Sequence, residues 1–176
     1  MKRLSKLIVG AACFSSLLYA TDMDTNSKLD LPSLKMKNTN LSFKEIQGYQ
    51  NYSIVASHFR KDKNEIRYIL ANKVAYDALR DNKVIMPDGS KVVKIGWSVK
   101  EMPTFPSALE AKTVQRVEYM IKDKTKHKER DGWGYARFVK ENGKYKAWSG
   151  DPKSCVACHE LVKSNDALFT KFQRVF

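Results

Sequence analysis

The residues best equipped for chemistry are Cys155, Cys158 and His159 in the run CVACH, close to the end of a 176-residue chain. Two thiols at this spacing, followed at once by an imidazole, could form a redox pair, hold part of a zinc site or attach a haem covalently. A redox C-x-x-C normally opens a helix after a strand within a βαβ unit. Here it follows WSGDPKS, and no such unit surrounds it. Zinc needs further ligands, and only His58 and His127 remain to supply imidazoles, neither of them in a ligand pair. Haem attachment uses all three residues. Each thiol adds to a vinyl group, and the adjacent histidine reaches the iron. The spacing therefore points to Cys155 and Cys158 as thioether residues and to His159 as the axial ligand of a c-type haem.

Position in the chain adds to this. Small electron-carrying cytochromes place the motif early and a methionine ligand downstream, whereas no methionine follows His159 here. A sixth ligand would have to come from Met86, Met102, Met120, His58 or His127. Each of these residue types more often serves as core or surface than as a ligand. The expectation is one open iron position, which suits small-molecule binding or catalysis better than simple electron transfer.

Covalent haem attachment is usually completed outside the cytoplasm, and the first twenty residues agree with export. Lys2, Arg3 and Lys6 precede the apolar run LIVGAACFSSLLYA, the pattern of a signal peptide over 1–20 with Ala20 at the cleavage position. The expected location is the periplasm. Cys13 would leave with the leader, and residues 21–40 read as a loose polar segment ahead of a domain over 41–176. Losing the three leader cations and no acid lowers the net charge from +13 to +10. That balance favours acidic partners or anionic surfaces. The cations are scattered without interleaved aromatics, which argues against nucleic acid. The densest run, KDKTKHKER over 122–130, reads as a solvated loop, with docking of a redox partner as the sharper alternative.

The elements that must position the motif are mostly strands. YSIVASHF and EIRYILAN read as a pair joined by RKDKN. NKVAYDALRDN reads as a helix capped by Asn72, with Val74, Ala78 and Leu79 on one side. After the Asp88-Gly89 turn, KVVKIGWSVK alternates, and TVQRVEYMIKD and GWGYARFVK follow it. KYKAW is a last short strand after the ENG turn, SFKEIQGYQ looks helical, and Cys155 to Leu161 should form a short haem helix. The fold class is α+β, a mostly antiparallel sheet with a few helices covering the haem. One sheet face should pack on helices and the other should cover the haem. Arg67, Lys94 and Glu118 each stand opposite in phase to their apolar neighbours and would project from that second face. Alternation alone leaves them as solvent-facing charges. Trp133, Tyr135 and Phe138 are candidates for lining the pocket, with core packing an equal explanation.

EIRYILAN, PDGSKVVKIGW, VEYMIKD, GWGYARF and CVACH followed by NDALFTKF occur in an order and spacing that resemble the cytochrome P-460 family and its relatives, the beta-type cytochromes c′. The resemblance spans roughly residues 45–172. It implies a periplasmic protein with one haem c per chain under an antiparallel sheet, typically a homodimer. It also implies oxidation of hydroxylamine at an open ferric site, giving nitrous or nitric oxide. In such proteins a lysine after the Asp-Gly turn bonds to the porphyrin edge. The matching residue is Lys94, while Lys91 lies in the opposite phase. Arg67 matches a distal arginine with a haem propionate as its simplest partner. Glu118 matches an acidic position that would accept a proton if desolvation raised its pKa. The relatives without the lysine bond imply the alternative of nitric oxide or carbon monoxide binding. A six-coordinate electron carrier, passing electrons to a partner cytochrome, is the third reading.

Overall fold

The computed structural model describes residues 33–174; the proposed signal peptide and the start of the leader lie outside the described residues. Alternating apolar and polar positions form β1 (Ser53–Arg60), β2 (Glu65–Ala71), β3 (Lys91–Met102), β4 (Phe105–Lys122), β5 (Trp133–Glu141) and β6 (Lys144–Ala147). They pair as one antiparallel meander in sequence order. Such pairing needs only short connections. The expected RKDKN link is a 3₁₀ turn at Lys61–Lys63, closed by Asn64 in the left-handed region at φ 48°. Two helices complete the fold, α1 (Lys73–Arg80) and α2 (Lys153–Glu160). Among the described residues, no helix is long and apolar enough to cross a membrane.

Both faces of the sheet are covered, and here the structure corrects the expected division of labour. Val93, Val117 and Phe138 face the N-terminal segment, where Met36, Leu41, Phe43 and Ile46 are buried. The Phe43 and Phe138 rings meet edge to face at 5.0 Å, and the Tyr119 hydroxyl donates to the Ser42 carbonyl at 2.6 Å. SFKEIQGYQ is not one helix. It forms 3₁₀ turns at Phe43–Ile46 and Tyr49–Asn51. Gly48, at φ 82°, divides them in a conformation that an α-helix cannot contain. The expected leader is already packed in its last residues, since Met36 is 2% exposed and Lys35 bridges Ser42.

The opposite face carries both helices. Ala75, Ala78 and Leu79 of α1 join Ile69, Val92, Met120 and Tyr135, and Cys155 and Val156 of α2 pack against the same cluster. Val74, expected on the buried side, is exposed, and Ala75 takes its place. Helices and charged strand positions therefore share one face instead of dividing the two. Phe138, considered for the pocket, lies on the other face.

Asn72 fixes how α1 leaves β2. Its Oδ1 accepts from Ala75 N at 3.1 Å and Lys91 N at 3.0 Å, and its Nδ2 donates to the Gly89 carbonyl at 2.9 Å. One side chain thus caps the helix and ties it to the turn before β3. Asn72→Ala should cost about 1–2 kcal/mol, at the upper end for a cap because the turn contacts go too. Urea unfolding at constant m-value measures the loss.

Candidate functional site

Strand register assembles the charged residues. Lys94 pairs with Glu118, and Glu118 with Arg137, so one rung crosses β3, β4 and β5. The next rung holds Arg67, Gly96 and Arg116. Directly opposed side chains on one face lie close enough for ion pairing. Lys94 Nζ is 2.6 Å from Glu118 Oε2, Arg137 Nε is 2.5 Å from Oε1, and Arg116 Nε is 3.3 Å from Oε2. Glu65 does the same work one rung away: Arg116 Nη2 lies 2.7 Å from its Oε2, and Arg67 Nε donates to its Oε1. Gly96 leaves room for that carboxylate, because a Cβ there would stand 2.8 Å from Glu65 Oε2. The result is a wall of four cations and two buried carboxylates. Sequence reasoning missed Glu65, Arg116 and Arg137, although Glu65 shares the phase of Arg67 on β2 and Arg116 that of Glu118 on β4; Arg137 is marked only by its cross-strand pairing with Glu118.

Glu118 does not behave as expected. Desolvation pushes its pKa up, but Lys94, Arg137 and Arg116 together outweigh burial and hold it down at about 2. It is an ionised anchor in this arrangement, not a carboxyl with a raised pKa. Burial lowers the Lys94 pKa while Glu118 opposes that change. Lys91 is separate, donating from Nζ to the Glu45 carbonyl at 2.6 Å.

The thiols and imidazole come from α2. Cys155 is half-buried and Cys158 exposed, and both are free thiols. Burial pushes the Cys155 thiol up. His159 Nδ1 lies 2.6 Å from the Ala167 carbonyl. An oxygen there requires Nδ1 to be the N–H donor, which leaves Nε2 with a free lone pair, the arrangement of a metal-ligating histidine. Tyr135 and Phe169 hold the ring at centroid distances of 4.9 and 5.2 Å.

One cavity of about 420 Å³ joins the two halves of the site. Cys155, Cys158 and His159 line it together with Arg67, Lys94 and Glu118, and Ile69, Val92, Met120 and Leu168 supply apolar wall. Free thiols, an imidazole with Nε2 available, an apolar interior and surplus cations fit a c-type haem with two propionates. Zinc is a poor match: among the described residues no cluster of three or more His, Cys, Asp or Glu could hold a metal. A second cavity, about 470 Å³, is lined by Lys124, Lys128, Arg130 and Lys163 but by neither thiol nor His159.

The remaining ligand candidates divide clearly. His58 and Met120 line the cavity of about 420 Å³. Met86 is buried beside Asp166, Met102 lies at the far end of β3, and the His127 ring sits over Gly134. The run 122–130 is only partly the expected loop, since Lys122 ends β4 and is buried. Tyr135 lines the cavity, whereas Trp133 is fully buried behind it and donates to Asp166.

The family model described as Cytochrome P460 matches residues 46–170, which include the whole sheet, both helices and the Ala167 turn. No curated protein matches the chain.

While Lys94 keeps its charge, folding makes Glu118 a stronger acid, from 4.5 to about 2, and its pairing stabilises the protein fully above about pH 4.5. That contribution disappears as pH falls through about 2. Glu118→Gln should remove this part of the acid dependence. The difference between wild-type and variant unfolding free energies, measured by urea titration across that window, should shrink steadily toward low pH.

Proposed function

The chain belongs to the cytochrome P460 family, and from that premise we propose that this haem c cytochrome is a periplasmic oxidoreductase that oxidises hydroxylamine. The supporting observation is that one cavity is lined both by the haem-attachment residues and by Lys94, Glu118 and Arg67. A bound haem supplies the iron that takes up the electrons hydroxylamine loses. The remaining work falls to side chains of this chain.

Cys155 and Cys158 would hold the group through thioethers, and His159 Nε2 would ligate the iron. In the lysine-linked form that the family resemblance implies, Lys94 Nζ, 2.6 Å from Glu118 Oε2, would be joined to the porphyrin edge in place of one ring hydrogen, a replacement that also costs the amine a proton and requires an external two-electron oxidant. A lysine nitrogen used in that way no longer carries an ammonium charge. Glu118 then keeps only Arg137 and Arg116, while the desolvation that pushes its pKa up is undiminished. Its pKa must rise, which brings the carboxylate toward the range of a useful proton acceptor. Bonding at Lys94 would thus convert an inert anchor into a base for protons released from the substrate. Arg67 stays paired to Glu65 and offers its remaining N–H groups to a propionate or to a substrate oxygen.

Gas binding by a relative of the beta-type cytochromes c′ is the second reading. The cations and the Glu118 carboxylate facing the cavity favour chemistry with proton transfer over an apolar gas pocket. Electrons would leave to a partner redox protein such as a cytochrome, and the protein would act as a homodimer.

Reduced, haem-loaded protein should show a Soret band far to the red of an ordinary ferrocytochrome c and should consume hydroxylamine. Lys94→Arg should return the band to a normal high-spin position and abolish turnover, with the mass of the haem peptide showing the lost bond. An ordinary high-spin spectrum in both proteins would leave the gas-binding reading. A sharp low-spin spectrum in wild type would remove the open site.

A further inference from the structure

The Ala167 carbonyl that receives His159 Nδ1 belongs to an improbable piece of backbone. Asp166 and Ala167 are consecutive left-handed residues, at φ 47° and 61°. Asparagine and aspartate tolerate that region, but for alanine its Cβ crowds the following carbonyl. Such a conformation persists only where its surroundings over-determine it. Local bonds close the turn: Ala167 N donates to Val162 O at 3.1 Å, and Leu168 N to Asn165 O at 3.0 Å. None of these ties the turn to the sheet.

The Asp166 carboxylate does that. Lys122 Nζ, at the end of β4, lies 2.6 Å from Oδ1 and 2.9 Å from Oδ2. Trp133 Nε1, at the start of β5, donates to Oδ1 at 3.2 Å, and Met86 N donates to Oδ2 at 2.8 Å. Lys122 Nζ also lies 4.7 Å from the Trp133 ring centroid. Lys122 is 3% exposed and Asp166 6%. A buried ion pair with this many partners is rigid, and it stands one residue from the carbonyl that orients the haem ligand.

We propose that Lys122, Asp166 and Trp133 are positioning residues for the axial histidine: they lock the left-handed turn whose Ala167 carbonyl fixes the His159 tautomer and strengthens its donation to iron. The inference rests on the haem c reading but not on hydroxylamine as substrate. A weaker Nδ1–H···O contact reduces the electron density that Nε2 offers the metal. Loss of the lock therefore weakens the iron–histidine bond and favours the reduced state.

The test uses haem-loaded protein without substrate. Lys122→Met removes the ion pair at similar length. Trp133→Phe keeps the pair and most of the aromatic volume but removes one hydrogen bond. In Lys122→Met the iron–histidine stretching band of the reduced protein should move to lower frequency and the reduction potential should rise. Trp133→Phe should shift both in the same direction by less. Thermal unfolding establishes that each variant is folded, and if Lys122→Met is not, Trp133→Phe alone decides. Folded variants that keep the wild-type band and potential overturn the assignment. A wild type that ignores hydroxylamine while Lys122→Met shifts the band would remove the proposed activity and leave this role standing.

Discussion

Burying carboxylates among cations on a face already covered by helices is the constraint that shapes the site. An isolated charge taken out of water costs several kcal/mol or more, and only close, well-bonded partners offset it. Antiparallel register supplies those partners without long-range search. Once Lys94 is opposite Glu118 and Glu118 opposite Arg137, the carboxylate stands between two cations on adjacent strands. A register slip by one residue would send Glu118 into the cluster of Phe43, Val93 and Phe138. The ion pairs thus act less as net stabilisation than as a penalty on every other pairing. That is a sound use of buried charge when its net contribution to stability is small.

Two networks on the same face divide the work. The Lys94, Glu118 and Arg137 rung forms a wall of the cavity, and Glu65 pairs with Arg116 beyond it. The Lys122–Asp166 pair sits at the end of β4 and holds the turn that meets the α2 histidine. From there the chain runs on as a strap along β1, with Gln173 N donating to Val55 O at 2.9 Å and Gln173 Oε1 accepting from Ser57 N at 2.8 Å. Phe172 meets Tyr76 of α1 at 5.4 Å. The strap satisfies edge-strand groups that would otherwise invite another chain. It also connects the Ala167 turn to both the sheet edge and the first helix.

Much of this was legible locally. Period-two alternation located the strands, CVACH located the helix that carries thiols and imidazole, and phase alone put Lys94, Glu118 and Arg67 on a common side. What alternation cannot reveal is what lies over each side. Lys94 and Val93 differ in phase whichever face the helices choose, so the sequence left Glu118 looking like a solvent charge or a solitary buried acid. Glu65 and Asp166 escaped for a related reason. Each is defined by partners far away in the chain, Arg116 and Lys122 respectively, and no local pattern marks such a pair. The 3₁₀ turns around Gly48 escaped because a short apolar spacing of three or four residues is common to both helix types.

The reversal at Glu118 carries the most chemical weight. A carboxylate beside an apolar cavity becomes a base only when desolvation beats the neighbouring charges, and here three cations beat desolvation. The balance is fragile in one respect. Lys94 is the only one of the three whose charge chemistry can remove, because its amine is a nucleophile and a guanidinium remains protonated. The same lysine lies on the cavity wall with its amine in contact with the carboxylate. Loss of the Lys94 charge would therefore change the acidity of Glu118. The two arginines would keep the carboxylate in place afterwards. Position and proton affinity would in this way be set by different residues, a separation that would let a buried acid be held rigidly and still be tuned.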